Sequence, residues 1–89
     1  MGRFSVAATP AAAKQFKGLP AGVKDRFQAT FAALGEDPAR RRPGLDVKPL
    51  KGAPGSYRLR VGHYRGIFKV TGKEILFTRF GHRSTIYRL

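Results

Sequence analysis

Apolar positions change their spacing twice along this chain, and each change marks a different kind of element. Phe4 and Val6 alternate with polar neighbours and predict a short strand over 3–8. Thr9-Pro10 follows as an N-cap with proline at the first helical position, where its missing N–H costs nothing. A helix over 10–17 then ends at Gly18, with Phe16 and Leu19 as its apolar contacts. Pro20 opens a second helix in which Val23, Phe27, Phe31 and Leu34 recur at spacings of four, four and three and share one face. Gly35 is the expected C-cap, with Pro38 soon after.

The segment ARRRPGLDVKP (39–49) has no period and reads as a basic loop. From Gly55 the spacing becomes two. Tyr57, Leu59 and Val61 alternate with Arg58 and Arg60, and Gly62-His63 has the Gly-X form of a type II′ turn. That turn sets Val61 against Tyr64, Arg60 against Arg65, Leu59 against Gly66, Arg58 against Ile67 and Tyr57 against Phe68. Tyr57, Leu59, Val61, Tyr64 and Phe68 then form the core face, while Arg58, Arg60 and Arg65 share the other. A second turn at Gly72-Lys73 leads into EILFTRF, adding Ile75 and Phe77 to the core and placing Phe80 beside Arg65. The expected architecture is a single α+β domain over 1–89, with an N-terminal strand, a helical hairpin and an antiparallel three-stranded β-meander, the helices packed on one sheet face. No internal repeat or linker argues for a second domain.

Composition adds a charge problem to this picture. Eighteen Lys and Arg oppose five Asp and Glu, for a net +13 in 89 residues. Thirteen of the bases fall in 40–89, where the acids are Asp46 and Glu74. Such self-repulsion opposes compaction unless a polyanion or an acidic protein offsets it, and a nucleic acid is the first partner to consider. The absence of cysteine excludes disulfides and thiolate metal sites. No leader and no apolar run near the roughly 20 residues of a membrane span is present, so a soluble cytoplasmic protein is expected, without membrane contact.

The stretch YRLRVGHYRGIF (57–68) concentrates this charge. Arg60 facing Arg65 works against the sheet unless something negative lies between them, and no carboxylate is close in sequence. Guanidinium forks match phosphate oxygens better than lysine does. The chain has no P-loop, no H-E-x-x-H, no paired carboxylates and no serine in a nucleophile setting, and five scattered acids give no cluster for Mg²⁺. For RNA a metal-free, cofactor-free route exists: the 2′-hydroxyl attacks its own 3′-phosphate, given a proton acceptor, a proton for the leaving 5′-oxygen and cations for the phosphorane. His63, His82, Arg83 and Tyr87 are the candidates nearest the basic face. A tyrosine, with an ordinary pKa of about 10, becomes a better proton acceptor when positive charge favours its phenolate. Taken alone, these spacings reach a basic β-meander with an anion-binding face.

KPLKGAPGSYRLRVGHYRGIF (48–68) followed by FGHRSTIY (80–87) resembles the RelE branch of the RelE/ParE toxin superfamily. The likeness extends to the first strand and to the helical hairpin with GLPAGV at its turn. It implies the toxin of a type II toxin–antitoxin pair, a ribosome-dependent endoribonuclease cutting mRNA in the decoding A site, with an acidic antitoxin, the ribosome and mRNA as partners and no small-molecule cofactor or metal. The family's basic active-site set falls on Lys51, Arg58, Arg60, Arg65 and Arg83 and its C-terminal tyrosine on Tyr87, so Arg65, Arg83 and Tyr87 are the catalytic candidates and Lys48, Lys51, Arg58, Arg60 and His82 the phosphate-binding ones. By this resemblance Arg65 stabilises the phosphorane, Arg58 and Arg60 hold phosphate, Arg83 assists the leaving oxygen, and Tyr87 accepts the 2′-proton. His63 stands where an aspartate is common, and Gly66 where a larger residue is usual. Arg58 and Arg60 replace lysines of some members, which removes a lysine-based proton shuttle. Two rivals remain: a ParE-like toxin directed at DNA gyrase, and an RNA-binding module that cuts nothing.

Overall fold

The computed structural model describes residues 3–40 and 42–86. Seven elements follow in order: β1 (Ser5–Ala8), α1 (Pro10–Lys17), α2 (Ala21–Glu36), β2 (Asp46–Pro49), β3 (Ser56–Val61), β4 (Tyr64–Thr71) and β5 (Glu74–His82). The strands form one five-stranded sheet in the order β1-β5-β4-β3-β2. β2 to β5 are antiparallel, and β1 lies at the edge parallel to β5.

α1 starts and stops where its end chemistry requires. The Thr9 hydroxyl accepts the Ala12 N–H at 3.1 Å, Pro10 takes the first turn, and Gly18 closes the last. α2 runs past the expected stop. Gly35 lies inside the helix and is buried, and Asp37 is the C-cap. The reason is contact with the strand that follows the N-terminus: the Gly35 carbonyl accepts the Phe4 N–H at 2.9 Å, and a Cβ on Gly35 would come within 3.1 Å of the Phe4 oxygen. Beyond the cap, the Arg42 guanidinium donates to the carbonyls of Ala33, Asp37 and Arg40, tying the segment after α2 back onto its last turn.

The two helices cover one sheet face. Phe27, Leu34 and Ala12 are buried against Val47, Leu59, Val61, Phe68, Ile75, Phe77 and Phe80. Phenylalanine rings dominate this layer: Phe80 lies 5.0 Å from Phe16 and 5.3 Å from Phe27, both edge-on, and stacks on Phe77 at 4.8 Å. Where β1 ends, the Gln15 side chain of α1 takes over the edge of β5, accepting the Phe80 N–H at 2.9 Å.

The β3–β4 register matches expectation at all five pairs named above. Gly62 has φ 58° and, among the described residues, no non-glycine residue has positive φ, as a type II′ turn at Gly62-His63 requires. Two further expectations fail. The segment read as a loop contains β2, whose Leu45-Val47 alternation is too short to register as a strand and whose edge is closed by Pro49. A fourth antiparallel strand therefore joins the meander. Phe80, moreover, does not flank Arg65. A β-bulge opposite Ile67/Phe68 inserts Thr78 and shifts the remainder of β5 by one residue, so Phe80 faces Gly66 and Gly81 faces Arg65. That single insertion turns Phe80 into the core, where it is 5% exposed.

Candidate nucleic-acid interface

Strand alternation sends the side chains between the core positions to the sheet face without helices. Register then arranges them in two rows. Asp46, Arg60, Arg65 and Gly81 form one, running from β2 to β5; Lys48, Arg58, Ile67 and Arg79 form the other. Arg58, Arg60 and Arg65 thus share a face as the alternation predicts. Arg79 joins them, and sequence reasoning missed it because an unbroken register places residue 79 opposite Gly66, on the helix side. Without knowledge of the bulge nothing in the sequence signals this.

The expectation that no acid lies among these arginines is incorrect. Asp46, in the segment read as a loop, comes up on β2 directly opposite Arg60 and diagonal to Arg58. Its Oδ1 accepts from Arg58 Nη2 at 3.1 Å, and its Oδ2 lies 2.8 Å from Arg60 Nε. Both Asp46 and Arg58 are mostly enclosed, with side chains 20% and 15% exposed, whereas Arg60 is 52% exposed. Arg65 donates from Nη1 to the carbonyls of Gly62 and Tyr64 at 3.0 and 3.1 Å, which ties it to the β3–β4 turn. Arg79 donates from Nη1 to the Ile86 carbonyl at 3.0 Å. Each guanidinium is anchored from within the protein, by a carboxylate or by backbone carbonyls.

After β5 the chain folds back over this face. His82 O accepts from the amides of Thr85 and Ile86, and Ile86 is buried with its Cδ1 3.3 Å from where a Cβ of Gly81 would stand. The Arg83 N–H donates to His63 O at 2.7 Å, so Arg83 sits against the turn that anchors Arg65, with its side chain exposed. Lys48 is exposed at the sheet edge in register with Arg58, and Lys51 is exposed in the turn after β2. Tyr87, the expected proton acceptor, lies outside the described residues. His82 does not join the arginine face. It follows the Phe80 side of β5, its ring meets Tyr64 edge-on at 5.2 Å, and its Nδ1 lies 2.7 Å from the Ser84 hydroxyl.

A separate open groove of about 760 Å³ lies between α2 and the β2–β3 edge, lined by Arg26, Ala29, Thr30, Leu45, Arg60 and Val61 among others. It meets the arginine face only at Asp46 and Arg60. Among the described residues no helix is long and apolar enough to cross a membrane.

A helical hairpin on one side of a small sheet, with tethered guanidiniums on the other, defines a basic α+β domain. Comparison with known proteins gives this class its family. The model for the ParE toxin of type II toxin–antitoxin systems matches residues 6–87. The chain is 34% identical over 74 residues to Toxin RelE3 of Methanocaldococcus jannaschii, covering 83% of this chain and 84% of that one. It superposes on the RelB-RelE antitoxin-toxin complex from Methanococcus jannaschii with TM-score 0.76 and 30% identity, covering 91% of this chain and 94% of the other. The archaeal RelE-RelB complex from Pyrococcus horikoshii gives TM-score 0.78 and 28% identity, covering 93% and 98%. The protein belongs to the RelE/ParE superfamily of type II toxin–antitoxin toxins.

Proposed function

We propose that this toxin is a ribosome-dependent endoribonuclease that cleaves mRNA in the A site, and that an acidic antitoxin neutralises it. The observation that carries this reading is the sheet face opposite the helices, which gathers Arg58, Arg60, Arg65 and Arg79, the first two held by Asp46 and the other two by backbone carbonyls. Preorganised cationic donors stabilise charge that develops in a transition state without reorganising at the moment of reaction. In the proposed reaction the ribose 2′-oxygen attacks the adjacent phosphorus and its proton passes to Tyr87. Arg65 and the exposed end of Arg60 bear on the phosphorane oxygens. The bond from phosphorus to the 5′-oxygen breaks and that oxygen takes a proton from solvent water, leaving a 2′,3′-cyclic phosphate and a 5′-hydroxyl. Arg83 stabilises the departing oxygen electrostatically, since a guanidinium does not lose its proton. The partnership with an antitoxin is supported by the relatives that were solved as antitoxin–toxin complexes, and charge makes an acidic partner the complementary one.

Purified protein added to ribosomes carrying a defined message is expected to cut within the A-site codon and to leave 2′,3′-cyclic phosphate ends. Intact message together with DNA damage in cells would identify the gyrase-directed reading instead. Tyr87→Phe keeps the ring and deletes the hydroxyl. Its single-turnover cleavage rate is expected to fall by about 10²-fold, the lower end of what positioned proton transfer contributes. A rate equal to the parent's would remove Tyr87 from the proton path.

A further inference from the structure

Among the five acids of this chain, Asp46 has an unusual position. Asp25 and Glu36 are exposed on α2, Asp37 caps that helix, and Glu74 stands at the far end of β5 in register with Thr71. Asp46 alone among them stands in the arginine rows, on the edge strand, with one oxygen on Arg58 and the other on Arg60. The two contacts differ in kind. Arg58 offers a terminal Nη2 and is itself almost enclosed, whereas Arg60 is held at Nε, the inner nitrogen of its fork. Holding Arg60 at Nε leaves Nη1 and Nη2, the outer pair, for a second anion. Arg60 in turn stands directly opposite Arg65 in register, so the two side chains are neighbours on one face of the sheet.

We infer that Asp46 is a positioning residue: a resident carboxylate that fixes the forks of Arg58 and Arg60 so that the outer edge of Arg60 and the Arg65 guanidinium meet one phosphate. For its effect on turnover this inference rests on the nuclease reading above; its effects on arginine mobility and on anion binding do not. A carboxylate in a polyanion site opposes binding through like charge while supporting the geometry of the groups that bind. Its removal therefore moves affinity and turnover in opposite directions, which neither simple charge neutralisation nor a purely structural role does.

The test uses the full chain and Asp46→Asn, with Asp46→Glu as the conservative variant. In the parent, Nε–Hε NMR signals of Arg58 and Arg60 are expected to be resolved, and that of Arg58 to persist at raised salt, because its pair with Asp46 is enclosed and weakly screened. In Asp46→Asn both are expected to broaden or vanish, and in Asp46→Glu to return. Binding of a single-stranded RNA is expected to be equal or tighter in Asp46→Asn, with a log–log salt slope steeper by about 0.7 for one more uncompensated cation. On programmed ribosomes Asp46→Asn is expected to lose about tenfold or more in kcat with KM unchanged or lower, and Asp46→Glu to recover most of it. Should Asp46→Asn not fold, the Asp46→Glu and parent spectra still decide: absent or freely mobile Arg58 and Arg60 signals in the folded parent overturn the inference. Unchanged kcat in a folded Asp46→Asn also overturns it, leaving mere charge neutralisation, as do parallel losses of RNA binding and turnover. If the parent cuts no message, the nuclease reading fails, while the NMR and RNA-binding results still stand or fall for Asp46 by themselves.

Discussion

Arg65→Ala is expected to reduce cleavage of ribosome-bound message by about 10²- to 10³-fold, the range seen when one preorganised donor to a developing oxyanion is removed. Binding to the ribosome is expected to weaken far less. Affinity for a polyanion is spread over many cations, and this chain carries eighteen, so the loss of one lowers the salt slope by roughly 0.7–0.9 and leaves most of the attraction intact. The side chain is tied to Gly62 O and Tyr64 O at the hairpin turn, so it is already aimed before any substrate arrives. Arg65→Lys keeps the charge and loses the fork, and an intermediate rate is expected from it. Single-turnover cleavage measured beside ribosome co-sedimentation separates the two quantities, with circular dichroism showing that each variant is folded. Equal losses of binding and cleavage in Arg65→Ala would mean that this face binds RNA and does nothing further to it.

The second large effect is on stability. Gly66 lies under the stacked rings of Phe77 and Phe80, and a Cβ there would come 2.9 Å from Phe77 Cε2 and 3.0 Å from Phe80 Cε1. Both rings are buried among other aromatics and have nowhere to retreat. Gly66→Val is therefore expected to cost about 3 kcal/mol, the upper part of the range for overpacking. For a domain of this size that corresponds to a fall in Tm of roughly 12–24 °C, read by thermal melting. Gly22→Ala is the internal control. That glycine lies within α2 with nothing within 4 Å of an added Cβ, and alanine is expected to stabilise the domain by up to about 1 kcal/mol. A Gly66→Val protein melting with the parent would show that the Phe77–Phe80 pair is not packed as described.

Gly66 also explains what was legible in the sequence and what was not. Helix ends with local chemistry, such as Thr9-Pro10, could be read directly, and so could the β3–β4 hairpin, because two residues of turn determine every pair beyond it. The bulge at Thr78 could not. Its cause is three-dimensional: with glycine at 66, two phenylalanines fit over one strand position, and slipping the register by one residue buries Phe80 at no steric cost. Arg79 on the basic face is the other half of that slip. β2 was missed for a different reason. Four residues with one fully inward apolar side chain carry too little periodicity to be seen, yet they deliver Asp46 to Arg58 and Arg60. The three arginines were legible as a cluster, while the acid that organises two of them was hidden by thirteen residues of chain between Asp46 and Arg60.

The pairing of β1 with β5 has a consequence during synthesis. The first strand to emerge from the ribosome has its neighbour in the last, with Ser5 opposite Glu74 and Ala8 opposite Phe77. Contacts that far apart in the chain close late, after the cost of ordering the intervening loop has been met. A nascent chain that still lacks β5 also lacks Arg79 and Arg83 and the partner strand for β4. The growing polypeptide is thus without its completed cationic surface until the last strand has joined the sheet.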